Sequence, residues 1–191
     1  MSLLDFESLN ETSILETSKP GTLFCFGHGF SSRALAQRLI PKGWDVSGTC
    51  RDKDSKKILK NEGQLYEYNG VNVNQEIYNA IDKSTHLLIS IPPQASEDPV
   101  LDRFSNEILN WKHLKWIGYI SSTGVYGDAK GKWVDENSVL KPATAINQRR
   151  VAIESAWLKL YKVNGLPVVI FRCVGIYGPG RNTLISVKLG R

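Results

Sequence analysis

Gly27-His28-Gly29-Phe30-Ser31-Ser32 follows an apolar run, Thr22 to Phe26, and opens a segment of helical spacing. In that place a G-x-G-x-x-S pattern suits a dinucleotide. Gly27 permits a tight turn after a strand, and Gly29 lets the backbone approach a pyrophosphate resting on the N-terminus of the next helix. Ser32 is small enough for close helix-to-strand packing. Ser31 or Ser32 could add a hydroxyl donor, and His28 or Arg33 positive character; the other reading of His28 is a partly exposed loop histidine.

Two other apolar runs end in residues that would border the same ligand. Ser47-Gly48-Thr49-Cys50 leads to Arg51 and Asp52. An arginine at a second-strand tip accommodates the 2′-phosphate of NADP, whereas an acidic residue holds the ribose hydroxyl of NAD. Arg51 favours NADP; a solvated Arg51 with Asp52 in the acidic role would leave NAD. Leu87-Leu88-Ile89 leads to Ser90, Ile91, Pro92 and Pro93, where the prolines stop the strand and stiffen a wall, or simply form a turn.

The elements that must position these residues are legible as strand-like runs near 22–27, 45–50, 64–68, 85–91, 115–121 and 167–173. All but the second and third are nearly continuously apolar, as in a parallel sheet covered on both faces. Helix candidates lie near 31–40, 53–62, 74–82, 98–110 and 143–163; in the last, Ile146, Ile153, Trp157 and Leu160 recur at helical spacing. The expected fold is α/β, a doubly wound, Rossmann-like parallel sheet of about six strands. Residues 1–20 read as a polar, acidic extension and 21–191 as one dinucleotide-binding domain.

Composition narrows the classes. The 191 residues are 41% hydrophobic and 23% charged, and no apolar run approaches the roughly 20 residues of a membrane span. Twenty-four Lys and Arg against 19 Asp and Glu give a formal charge of +5. They are dispersed, without the basic run or aromatic platform of a nucleic-acid surface. Cys25, Cys50 and Cys173 have neither zinc-finger nor C-x-x-C spacing, so reduced thiols, no metal and a cytoplasmic address are expected. The first twenty residues contain Asp5, Glu7, Glu11 and Glu16, unlike a signal or transit peptide.

The segments FGHGFSSRALAQRL, GTCRD, THLLISIPP, YISSTGVYGD, WVDE and FRCVGIYGPGR, in this order, resemble the extended or atypical branch of the short-chain dehydrogenase/reductase superfamily, the NAD-dependent epimerase/dehydratase type. The resemblance runs from about Thr22 to Asn182. It implies an NADP-dependent oxidoreductase or sugar-nucleotide epimerase, a small-molecule substrate, a homodimer through two helices, and a serine, tyrosine and lysine at the reaction site. The serine position falls on Ser122. With the following helix registered on Glu154, the tyrosine and lysine positions fall on Ile146 and Arg150. Isoleucine transfers no proton, and arginine is a fixed cation that can still bind phosphate or ribose.

Tyr126 and Lys130 have the Y-x-x-x-K spacing but lie in a glycine-containing loop, where two side chains need not share a face. Gly178-Pro179-Gly180-Arg181 resembles the segment leading into the family's substrate domain, which adds on the order of 100 residues. A chain stopping at Arg191 is therefore expected to be truncated before that portion. The alternative to an enzyme is a non-catalytic dinucleotide-binding sensor or a truncated cofactor domain, because binding needs the glycine turn and strand tips but no tyrosine.

Overall fold

Short apolar runs alternating with amphipathic segments build a layered α/β structure, seen in a computed structural model that describes residues 19–51, 63–71, 73–93 and 98–190. In chain order the elements are β1 (Thr22–Phe26), α1 (Phe30–Leu39), a 3-10 turn (Ile40–Lys42), β2 (Asp45–Cys50), β3 (Gln64–Glu67) and α2 (Gln75–Asp82). There follow β4 (His86–Ile89), α3 (Leu101–Asn110), β5 (Trp116–Ser122), a 3-10 turn (Thr123–Tyr126), α4 (Ala145–Asn164), β6 (Val168–Cys173) and α5 (Thr183–Lys188).

The six strands form one sheet in the order β3-β2-β1-β4-β5-β6, and every pairing is parallel. This is the doubly wound Rossmann order, with its topological switch between β1 and β4. Of the two runs with the most polar residues, β3 is an edge strand, while β2 lies inside the sheet with Ser47 and Thr49 buried. The central strands β1, β4 and β5 bury side chains on both faces. Phe24, Phe26, Leu87, Ile89, Ile117 and Tyr119 meet α2, α3 and α4 on one side, and Leu23, Cys25 and Leu88 meet Ala36 of α1 on the other.

All six expected strands are present, with ends that coincide or differ by at most two residues. β4 stops at Ile89 because Ser90 turns its hydroxyl back onto the carbonyls of Phe26 and Gly27, and the prolines beyond it have no N–H for a ladder. The helix candidate at 53–62 lies outside the described residues. α5 lies beyond the last of the helix candidates. Among the described residues no helix is long and apolar enough to cross a membrane.

α3 is held by a carboxylate that precedes it. Asp98 Oδ1 accepts from the N–H groups of Val100 (2.8 Å) and Leu101 (3.2 Å), while Pro99 stands where a missing N–H costs nothing. Its other oxygen accepts from Trp157 Nε1 at 2.9 Å, joining α3 to α4 inside the core. Burial pushes the Asp98 carboxyl above the usual carboxylate range, opposed by these three donors.

With its pKa raised by folding, Asp98 contributes most below the ordinary carboxylate value, and that contribution falls as the pH rises through the folded pKa. The stability advantage of wild type over Asp98→Asn should therefore be greatest near pH 4, about the unfolded-state value, and shrink toward neutrality. Chemical denaturation across that range measures it; a pH-independent difference would remove the proton linkage. Asp98→Asn keeps the helix cap but sets an amide N–H against the indole N–H. It and Trp157→Phe should each cost about 1–3 kcal/mol, and together less than the sum.

Candidate functional site

At the carboxyl ends of β1, β2, β3 and β4 the chain encloses a cavity of about 440 Å³. Its lining includes Gly27, His28 and Gly29 from the first turn, Thr49, Cys50 and Arg51 from the tip of β2, and Ser90, Ile91, Pro92 and Pro93 after β4. Tyr68, Asn69 and Gly70 complete it from beyond β3. The cavity straddles the switch point, where open parallel sheets bind ligands.

Gly27 is required by the protein itself. Its φ is +87°, and an added Cβ would lie 2.9 Å from Ser90 Oγ and 3.0 Å from Ile91 Cγ1. Its N–H donates to Thr49 Oγ1 at 2.8 Å, and its carbonyl accepts from the hydroxyls of Ser32 (2.8 Å) and Ser90. Ser32 is fully buried, with its hydroxyl engaged inside the turn and 3.0 Å from that of Ser90.

His28 corrects one sequence expectation: it is 4% exposed, not a partly exposed loop residue. Its backbone N–H donates to Thr49 O at 2.7 Å, which turns the imidazole inward beside Gly48. Phe30 and Ser31 start α1 outside the cavity lining. Phe30 instead faces the loop after β6, with the Arg181 guanidinium 5.4 Å from its ring centroid.

Gly29 differs from Gly27. Its φ of −88° and ψ of −161° are open to any residue, and an added Cβ would meet nothing within 4 Å. The glycine borders the open cavity at the head of α1, whose first turn has no side-chain cap and no acidic residue. Arg51, exposed at the rim, makes no hydrogen bond or ion pair with any described residue. Asp52 lies outside the described residues.

Ser122 and Arg150 stand apart from this lining, at the corner where β5 meets α4. Ser122 Oγ accepts from Gly124 N at 3.2 Å. Ile146 is 58% exposed on the first turn of α4. Glu154 is 1% exposed and paired with Arg172 of β6, which donates to both carboxylate oxygens from Nε (3.3 and 3.1 Å) and to Oε2 from Nη2 (2.9 Å). Arg172 Nη1 also donates to the Tyr126 hydroxyl at 2.9 Å, with its guanidinium over that ring. Lys130 takes a left-handed φ of 54° and pairs with exposed Asp128 at 2.8 Å. Tyr126 and Lys130 are thus held by different partners despite their spacing.

Sequence reasoning missed the β3 side of the cavity, Tyr68 to Gly70, because those residues match no motif. The Tyr68 hydroxyl donates to Pro99 O at 2.6 Å, and burial pushes its ionisation up to about 12. Cys25 and Cys50 are buried thiols outside any disulfide, and burial raises Cys25 to about 12. Among the described residues no three His, Cys, Asp or Glu side chains gather as a metal site.

Comparison with known proteins extends the geometry. No family model matches the chain. It is 29% identical over 166 residues to protein YeeZ of Escherichia coli K12, covering 82% of this chain and 59% of that protein. A solved structure of a conserved protein of unknown function from Silicibacter pomeroyi superposes with a TM-score of 0.77 at 38% identity, over 87% of this chain and 57% of the other. UDP-glucuronic acid 4-epimerase from Bacillus cereus in complex with NAD superposes with a TM-score of 0.66 at 18% identity, over 82% and 57%. UDP-N-acetylglucosamine 4-epimerase from Methanobrevibacter ruminantium does so with a TM-score of 0.68 at 15% identity, over 81% and 55%. The chain spans under 60% of the length of each relative, and within that span its fold is the Rossmann-like fold of the sugar-nucleotide epimerases.

Proposed function

We propose that the chain binds a nicotinamide dinucleotide, NADP in preference to NAD, and works as an atypical oxidoreductase or epimerase of the sugar-nucleotide type. The observation that carries the reading is Gly29. Neither its backbone angles nor any neighbour requires a glycine, so it leaves room for a group that the chain does not supply. Uncapped N–H groups and the helix dipole at the head of α1 suit that group to be a pyrophosphate.

Arg51, without a partner among the described residues at the cavity rim, is the cation for a 2′-phosphate. His28, Ser90, Ile91 and Pro92 would form the walls along the cofactor. When bound, the cofactor would supply a hydride-transferring nicotinamide. The Ser122 hydroxyl keeps its hydrogen free to donate to a substrate oxygen, since its oxygen is the acceptor for Gly124.

A second reading, a dinucleotide sensor without chemistry, is favoured by Ile146, which puts no proton-transfer group at the expected place. NADPH oxidation against aldehydes, ketones and nucleotide sugars separates the two. Turnover supports the enzyme, and tight binding with consistent inactivity supports the sensor.

Calorimetry tests the shared premise, and absence of NADPH and NADH binding at about millimolar concentration would overturn it. Gly29→Val should leave stability within about 0.5 kcal/mol yet weaken NADPH binding by tenfold or more. Gly27→Ala should instead cost about 1–3 kcal/mol of stability, because it adds strain and overlap. Arg51→Glu should weaken NADPH at least about tenfold more than NADH; equal losses would deny Arg51 the phosphate.

A further inference from the structure

The corner between β5 and the first turns of α4 gathers hydrogen-bonding groups without partners among the described residues. The side chain of Asn147 lies against Gly124, where an added Cβ would come 2.6 Å from its Nδ2 and 2.8 Å from its Oδ1. Its backbone N–H is bonded to Thr144 Oγ1, but its side-chain amide has no partner among the described residues. Arg150, one turn further along α4 and half-buried, has neither a hydrogen bond nor an ion pair with any described residue.

Glu154 is the acidic residue four positions on, where an ion pair with Arg150 would ordinarily form. Arg172 has taken that carboxylate. Arg150 is left as an uncompensated cation beside the strand, close enough to Tyr119 to affect its ionisation. The strand face below is likewise unsatisfied: Tyr119 and Ser121 are 1% and 3% exposed, and neither hydroxyl has a hydrogen-bond partner. Buried polar groups are rarely left in this state unless something outside the chain completes them.

We propose that this corner binds the carboxylate of a second ligand, distinct from the dinucleotide, through the Arg150 guanidinium and the Asn147 amide, with the Ser122 hydroxyl as a third donor. A guanidinium offers a planar fork that matches a carboxylate in two parallel bonds. The donor set also lacks a group that releases a proton near neutral pH. Arginine stays charged, the amide does not ionise, and burial raises the Tyr119 phenol above its ordinary value. The corner is thus built to hold an anion rather than to exchange protons with it. Ile146 beside it then marks a change of task, from activating a hydroxyl to holding an acid group.

The probe is malonate, titrated at constant ionic strength with and without saturating NADPH and followed by the side-chain N–H resonances of Arg150 and Asn147. Single substitutions assign those resonances. Saturable shifts of both are expected, and Arg150→Gln and Asn147→Ala should each weaken malonate by about tenfold or more. Arg51→Gln should leave malonate binding unchanged, which separates the corner from the dinucleotide cavity. Inorganic phosphate is the comparison anion: a guanidinium fork also takes two phosphate oxygens, so tighter binding of malonate than of phosphate is the result that assigns the corner to a carboxylate. The inference is overturned by the absence of saturable shifts, by undiminished binding to a folded Arg150→Gln protein, or by phosphate binding as tightly as malonate. Malonate binding without NADPH binding would uphold the corner while removing the dinucleotide reading.

Discussion

The backbone of Gly27 is the point through which the upper end of the sheet is tied together. Its N–H reaches β2 at Thr49, and its carbonyl takes hydroxyls from α1 at Ser32 and from the end of β4 at Ser90. The left-handed turn that makes this geometry available is closed to any Cβ by Ser90 and Ile91. Three strands and a helix therefore share one residue as a common fastening. The cavity exists because these strand ends are held apart at a fixed spacing.

A second fastening organises the other half of the sheet. Arg172 and Glu154 form a largely buried pair that fixes β6 to α4, while the same guanidinium holds Tyr126 and donates to the Glu136 carbonyl as a further partner. Removing one member of such a pair would leave the other charge buried and uncompensated, so its worth lies in geometry as much as in net stability. Its indirect effect reaches Arg150, whose freedom follows from how completely Glu154 is occupied. The two halves meet at Asp98, which caps α3 and holds Trp157 of α4.

The fold was readable because parallel strands buried on both faces leave continuous apolar runs, as in β1, β4 and β5, and because Gly27 and Ser32 mark a turn whose chemistry is local. The inward face of α4 was readable from the helical spacing of Ile153 and Trp157, both of which are buried. Less was legible where an interaction joins residues far apart in sequence. Asp98 and Trp157 are separated by 59 positions, and Arg172 and Tyr126 by 46. The burial of His28 follows from a backbone bond to β2 that no local pattern encodes. Asp98-Pro99, an N-cap residue followed by a first-turn proline, is a local signal, and the helix candidate at 98–110 began on it.

The contact between Gly124 and Asn147 has a consequence for how such proteins diversify. Gly124 has an ordinary backbone, since its φ is not among the positive values, and the main obstacle to a larger residue is the far end of one flexible side chain on another element. The glycine is an imprint of the amide that rests on it. In a library or a lineage, the two positions should drift as a pair: while the amide stays, the loop is confined to its smallest residue, and once the amide shortens, that restriction lifts. A chemically silent position thereby records the tenure of a side chain 23 residues away.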